Sequence, residues 1–85
     1  MMKILLIDDH KLIKIGIKVL LEDNEEFSVI DDCSSKKEFL EKIDNETYDL
    51  FICDISLPDG SGYDILEIVK ERKIKTKIII LSMHE

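Results

Sequence analysis

Three apolar runs in this chain end on oxygen-bearing side chains. Residues 4–7 lead into Asp8 and Asp9, residues 50–53 into Asp54, and residues 78–81 into Ser82. Carboxylates crowded together repel one another, and a divalent cation removes that conflict. Oxygen-only ligands, with no His or Cys, suit Mg²⁺ or Mn²⁺ rather than Zn²⁺. Mg²⁺ keeps several waters and favours a few carboxylates together with a phosphate. Three acids then have two tasks, holding the metal and attacking phosphorus, and a carboxylate that attacks phosphorus becomes an acyl phosphate. A transferring phosphoryl group is stabilised by positioning and by cations on its oxygens, and the Ser82 hydroxyl can donate to one of those oxygens.

The adjacent pair Asp8 and Asp9 suits the metal, one acid directly and one partly through water. Asp54 suits the nucleophile. The segment after it, Ile55-Ser56-Leu57-Pro58-Asp59-Gly60-Ser61-Gly62, discourages continued strand through its proline and two glycines. That leaves a backbone carbonyl just past Asp54, that of Ser56, free to join the metal. Each residue also has a plainer reading: Asp9 as a helix cap, Asp54 as a strand terminator beside a turn, Ser82 as an ordinary polar residue. The functional reading prevails only jointly, because all of these ends must fall on one edge of one sheet. His10 and His84 read as exposed and non-catalytic, and without a third ligand near them a zinc site is not expected. The "DGSG" segment is a turn too short to cradle a phosphate.

The elements that must bring these residues together alternate. Strands are expected over residues 3–8, 27–33, 50–53 and 77–82. Helices are expected over 10–23, from Ser34 or Ser35 to residue 43, and over 62–72. The first helix carries an apolar stripe of Leu12, Ile13, Gly16, Ile17, Leu20 and Leu21, with Asp9 placed to cap it. The second helix buries Phe39, Leu40 and Ile43, and the third Ile65, Leu66, Ile68 and Val69. The second strand is weak and acidic, as fits a sheet edge. Such alternation calls for a parallel sheet with right-handed crossovers and helices on both faces. Chemistry in these sheets sits outside the carboxyl ends of the strands, where Asp8, Asp9, Asp54 and Ser82 all fall.

Composition narrows the classes further. At 85 residues and 45% hydrophobic, the chain is one domain or part of one. A net charge of -7 argues against this segment gripping nucleic acid through phosphates. No run approaches the ~20 apolar residues that span a membrane. Cys33 and Cys53 are far apart in sequence, without a CxxC, and read as buried free thiols in a reducing cytoplasm.

Taken together, "LLIDDH", "LFICDISLPDGSGYDIL" and "IIILSMH" resemble the receiver domain of bacterial two-component response regulators, closest to the NarL/FixJ (LuxR-type) class. The resemblance runs from residue 3 to residue 84. It implies an α/β, flavodoxin-like, doubly wound parallel sheet with strand order 2-1-3-4, covering the family's elements from the first strand to the fourth. It implies that Asp54 accepts a phosphoryl group from a sensor histidine kinase. Asp8, Asp9, Asp54 and the Ser56 carbonyl would hold Mg²⁺, with Asp9 the more direct ligand of the acidic pair, and Ser82 would be the switch hydroxyl. Pro58 and Gly62 match the family's usual loop residues.

The family pattern goes on to a fifth strand, whose lysine pairs with the phosphoryl group. No residue here matches that lysine, because Lys75 and Lys77 precede the fourth strand and should lie at its far end. The expectation is therefore a receiver domain over residues 1–85 that is incomplete at its C-terminus, with no output domain. Three consequences are expected of such a fragment: weak or absent phosphorylation, self-association through the fourth strand and an uncovered sheet face, and DNA contact only through an output domain elsewhere. The expected role is a cytoplasmic signalling module that switches an output, transcription in the full-length parent, and not an enzyme on an outside substrate. Two alternatives stand beside it. One is a phosphorylation-independent interaction module. The other is a small Mg²⁺-dependent aspartyl phosphatase, disfavoured because Ser56 stands where a second acid would be.

Overall fold

The computed structural model describes residues 2–27 and 29–82. Strand β1 (Lys3–Ile7), helix α1 (Lys11–Glu22), β2 (Val29–Cys33), α2 (Lys36–Asn45) and β3 (Leu50–Asp54) follow in turn. Two short strands, β4 (Ser56–Leu57) and β5 (Gly60–Ser61), precede α3 (Gly62–Glu71) and β6 (Lys77–Leu81). The main sheet is parallel throughout, in the order β2-β1-β3-β6. With β6 as the expected fourth strand, this is the expected order. The reading of 55–62 as plain loop is corrected: β4 and β5 form a small antiparallel hairpin.

Side chains alternate across a strand, and here they serve two different cores. Leu5, Ile7, Phe51, Cys53, Phe39, Ile65 and Val69 form one buried cluster, with Ile78 and Ile80 packed against it. That cluster draws on α2 and α3, so both helices cover the same sheet face. Phe39 and Phe51 meet edge-to-face, with ring centroids 5.2 Å apart. Ile4 and Leu6 are buried as well but lie outside the cluster, which puts α1 over the opposite face.

Burial in the second core fades across the sheet. Leu6, Ile52 and Ile79 stand in register on neighbouring strands. Leu6 is buried, Ile52 is half-buried, and Ile79 is 48% exposed. The expected inward stripe of α1 is also corrected. Ile13, Ile17 and Leu21 are half-buried, while Leu12 is 83% and Leu20 73% exposed, and Gly16 is exposed. A helix resting on a sheet buries one stripe, and the apolar residues of α1 extend around most of its circumference.

The starts of α2 and α3 are fixed by identifiable caps. Ser35, not Ser34, caps α2 by accepting a hydrogen bond from the Glu38 N–H. Asp59, at the β4–β5 tip, accepts from the N–H groups of Lys36 and Lys37 at 2.7 and 3.0 Å. These backbone donors hold its carboxyl below the usual carboxylate range. Ser61 and Asp64 form a reciprocal capping box at α3. The expected Asp9 cap on α1 is absent: His10 holds the N-cap position, without a side-chain hydrogen bond.

Edge strand β2 carries its acids in pairs with lysines. Asp32 pairs with Lys18, and Asp31 accepts from Lys42 and from the Tyr48 hydroxyl. Both thiols are free and buried, and burial pushes Cys33 and Cys53 each up to about 12. They are therefore inert as thiolate nucleophiles or ligands.

Candidate functional site

β1 and β3 are adjacent parallel strands, so their last residues reach the same edge. Ile7 stands opposite Cys53, which brings Asp8 and Asp54 to that edge together. Both acids are nearly buried, at 5% and 4% exposure, while Asp9 is exposed. One carboxylate oxygen from each of Asp8, Asp9 and Asp54, and one ring nitrogen from His10, lie within 4.8 Å of one another. The three expected acids are thus in one place. Two almost buried carboxylates with a third at the rim form a donor set of hard oxygens, and they fit a small divalent cation.

His10 is the residue that sequence reasoning set aside. Its ring is exposed as expected, but its Nδ1 lies 2.9 Å from Asp8 Oδ1, 3.2 Å from Asp9 Oδ1 and 3.4 Å from Asp54 Oδ2. Its backbone N–H also donates to Asp8 Oδ1, at 2.7 Å. The hydrogen bond to Asp8, and then the charge of Asp9, raise its pKa. The signal in the sequence was adjacency: a residue following two acids at a strand end starts the helix beside them.

Ser82 follows β6, and Leu81 stands opposite Asp54. The serine therefore lies one register position beyond Asp54 on the neighbouring strand, and it is exposed. Ser56 stands two residues past Asp54, its N–H 3.5 Å from Asp54 Oδ1. It pairs with Ser61, and the Gly62 N–H donates to the Ile55 carbonyl at 2.9 Å. That bond brackets the pair as a non-hydrogen-bonded one, in which the facing residues keep their own backbone groups out of the ladder. Gly62 stands in a tight place. A Cβ there would meet the Asp54 carbonyl oxygen and Ile80 Cδ1 at 3.1 Å each.

Lys75 and Lys77 lie at the opposite end of the sheet, lining a depression with Met2, Glu25, Glu26 and Asp49. Neither can serve the carboxylate cluster. His84 lies outside the described residues.

Comparison with known proteins points the same way. Residues 4–85 match the family model of the response regulator receiver domain. The chain is 39% identical over 84 residues to the sensory transduction protein LytR of Staphylococcus haemolyticus, covering 99% of this chain and 33% of that protein. It is 29% identical over 84 residues to the nitrate/nitrite response regulator protein NarL of Escherichia coli, covering 96% of this chain and 39% of that protein. It therefore spans only about a third to two fifths of these relatives. The MaeR response regulator bound to beryllium trifluoride superposes with a TM-score of 0.93 at 22% identity, over 100% of this chain and 70% of that one. A parallel sheet in the order β2-β1-β3-β6, an acidic cluster at its carboxyl edge and a family match over nearly every residue have one common explanation: this chain belongs to the response regulator receiver domains of two-component systems.

Proposed function

We propose that the chain is a phosphoryl-accepting switch module, with Asp54 as the acceptor and a sensor histidine kinase as the donor. The observation that carries this reading is the convergence of Asp8, Asp9 and Asp54 at one sheet edge in a chain of this family. An Asp54 carboxylate oxygen forms a bond to phosphorus. The bond that breaks joins phosphorus to the imidazole nitrogen of the kinase phosphohistidine, and that nitrogen keeps the electron pair. Asp8, Asp9, Asp54 and the Ser56 carbonyl hold Mg²⁺, which when bound neutralises charge on the phosphoryl oxygens. The Ser56 carbonyl suits this role because its pair with Ser61 leaves it outside the hairpin ladder. Ser82, one register step past Asp54, turns its hydroxyl to the phosphoryl group and transmits the switch.

On this reading the module is not an enzyme on outside substrates. It works in the cytoplasm and passes its signal to an output, transcription in a full-length parent. Among the described residues no helix is long and apolar enough to cross a membrane. Nucleic acid is contacted only by an output domain, consistent with a net charge of -7. Self-association uses β6, which pairs only with β3 among the described residues, and the partly covered face beside it.

The test is incubation with a small acyl phosphate and Mg²⁺, with the label located by mass spectrometry. Slow labelling at Asp54, lost in Asp54→Asn and lost without the metal, is expected. Label that settles on another residue, or that survives Asp54→Asn, overturns the proposal. Equal partner binding by the wild type and Asp54→Ala would favour a phosphorylation-independent docking module instead.

A further inference from the structure

We infer that His10 is a nitrogen ligand of the cation site, and that it gives this site a preference for borderline transition metals such as Ni²⁺ over Mg²⁺. The inference rests on the proposed metal-binding role of Asp8, Asp9 and Asp54, and it adds a donor of a different chemical kind.

Three observations support it. First, Nδ1 of His10 lies 2.9, 3.2 and 3.4 Å from oxygens of Asp8, Asp9 and Asp54. An octahedral ion with ligands at about 2.1 Å places neighbouring ligand atoms about 3.0 Å apart. The three separations are compatible with that spacing, so the nitrogen stands close enough to share one ion with the three carboxylates.

Second, the polar contacts within the cluster are long at Asp54. One Nδ1–H can serve one acceptor well, and three carboxylates converge on it. Asp54 is only 4% exposed, and the ion pair and hydrogen bond of its carboxylate among the described residues run to His10 at 3.4 Å and to the Ser56 N–H at 3.5 Å. Charge-assisted hydrogen bonds to a carboxylate are usually about 2.7–2.9 Å, so Asp54 has room to take a shorter bond to an ion.

Third, the backbone holds the ring in place. The His10 N–H donates to Asp8 Oδ1 at 2.7 Å, so the residue bearing the nitrogen is anchored to one of the oxygen ligands. Imidazole suits Ni²⁺, Zn²⁺ and Cu²⁺, whereas Mg²⁺ prefers carboxylate, carbonyl and water. Losing His10 should therefore cost the two ion classes unequally.

The experiment is isothermal titration of Mg²⁺ and of Ni²⁺ into the chain in a His84→Ala background, where His10 is the sole histidine. It compares His10 with His10→Ala and includes Asp9→Ala. Long-range nitrogen NMR of the His10 ring with diamagnetic Zn²⁺ reads the bond itself. The His10 side chain caps nothing and its ring is 58% exposed, so the alanine variant keeps its fold. The expected result is Ni²⁺ affinity reduced roughly tenfold or more in His10→Ala, Mg²⁺ affinity changed less than about twofold, and a shifted Nδ1 resonance with Zn²⁺. Unchanged Ni²⁺ affinity overturns the inference. Tighter binding of both ions also overturns it, since His10 would then be a counter-cation that the metal displaces. Mg²⁺ binding that needs Asp9, alongside Ni²⁺ binding indifferent to His10, overturns this inference alone. Binding of neither ion overturns it together with the proposed metal role.

Discussion

Gly62 lies directly against the backbone of Asp54. A methyl group on it would stand 3.1 Å from the Asp54 carbonyl oxygen, with Ile80 Cδ1 equally close and the Ile55 Cα at 3.3 Å. The first residue of α3 thus sets how closely that helix approaches the strand end carrying the acid. In Gly62→Ala the facing backbone must give by a few tenths of an ångström, and overpacking of this kind costs about 1–3 kcal/mol. The expected outcome is a lower midpoint in chemical denaturation together with weaker Mg²⁺ binding, because Asp54 moves with its strand. A variant as stable as the wild type, with the same metal affinity, would show that the contact is slack.

Asp59 ties the hairpin after Asp54 to the first turn of α2. Its carboxylate takes the Lys36 and Lys37 N–H groups, two of the donors that a helix start leaves without partners. In Asp59→Ala those amides lose their acceptor, and the hairpin loses its attachment to the helix. Hydrogen exchange should accelerate at Lys36 and Lys37 before it does in β1 or β3. Asp59→Asn should fall between, since its amide oxygen can accept one bond without the charge. Uniform acceleration across the whole chain would mean that global unfolding, not the tether, controls exchange.

The acids of β2 give stability an acid limb. The Lys18 ammonium holds the Asp32 carboxyl below its ordinary 3.8. Burial works to raise Asp31, but Lys42 and the Tyr48 hydroxyl outweigh it and lower it too. A carboxyl with a lowered folded-state pKa adds stability that is fully present above its unfolded value and is lost as pH falls through the folded value. Stability should therefore decline from about pH 5 downward. Both side chains are about a third exposed, so each pair is worth only about 0.2–1 kcal/mol. Asp32→Asn should lower the thermal midpoint at neutral pH and flatten the acid limb, and the two proteins should converge in strong acid. Parallel curves at every pH would rule out the Lys18 pair as a contributor.

Strand order and the meeting of Asp8, Asp9 and Asp54 were legible in the sequence because both follow from the alternation of apolar runs. Parallel strands that each end on an acid have one edge on which to place it. What could not be read was the environment beyond the next residue or two. His10 looked like a solvent-facing histidine, since its contacts depend on the turn between β1 and α1. Asp59 reaches α2 across 23 positions, a distance that local patterning does not cover. Leu12 and Leu20 looked inward because helical spacing identifies an apolar surface without saying how much of it a neighbour will cover. The Ser61–Asp64 capping box, by contrast, was visible as S-x-x-D and was missed.

The incomplete cover of α1 and the sheet beside it bears on assembly. On the α1 side of the sheet, burial falls from Leu6 through Ile52 to Ile79, which is 48% exposed. Leu12, Ile15 and Val19 line one exposed flank of α1, at 83%, 53% and 56%. β6 adds an edge whose outer backbone groups have no strand partner among the described residues. Unpaired edges template pairing with another chain, and exposed apolar side chains gain about 25 cal/mol for each Å² they bury. This 85-residue chain should therefore self-associate as its concentration rises, with β6 and Ile79 at the contact. Sedimentation velocity over a concentration series measures this, and Ile79→Lys should shift the distribution towards monomer. A lysine at that position places a charge in the apolar contact and opposes edge pairing, while its exposure spares the fold. Thermal stability of dilute Ile79→Lys should thus match that of the wild type. A wild type that stays monomeric throughout the series would mean that the exposed row is too small, or the edge too well solvated, to hold a second copy.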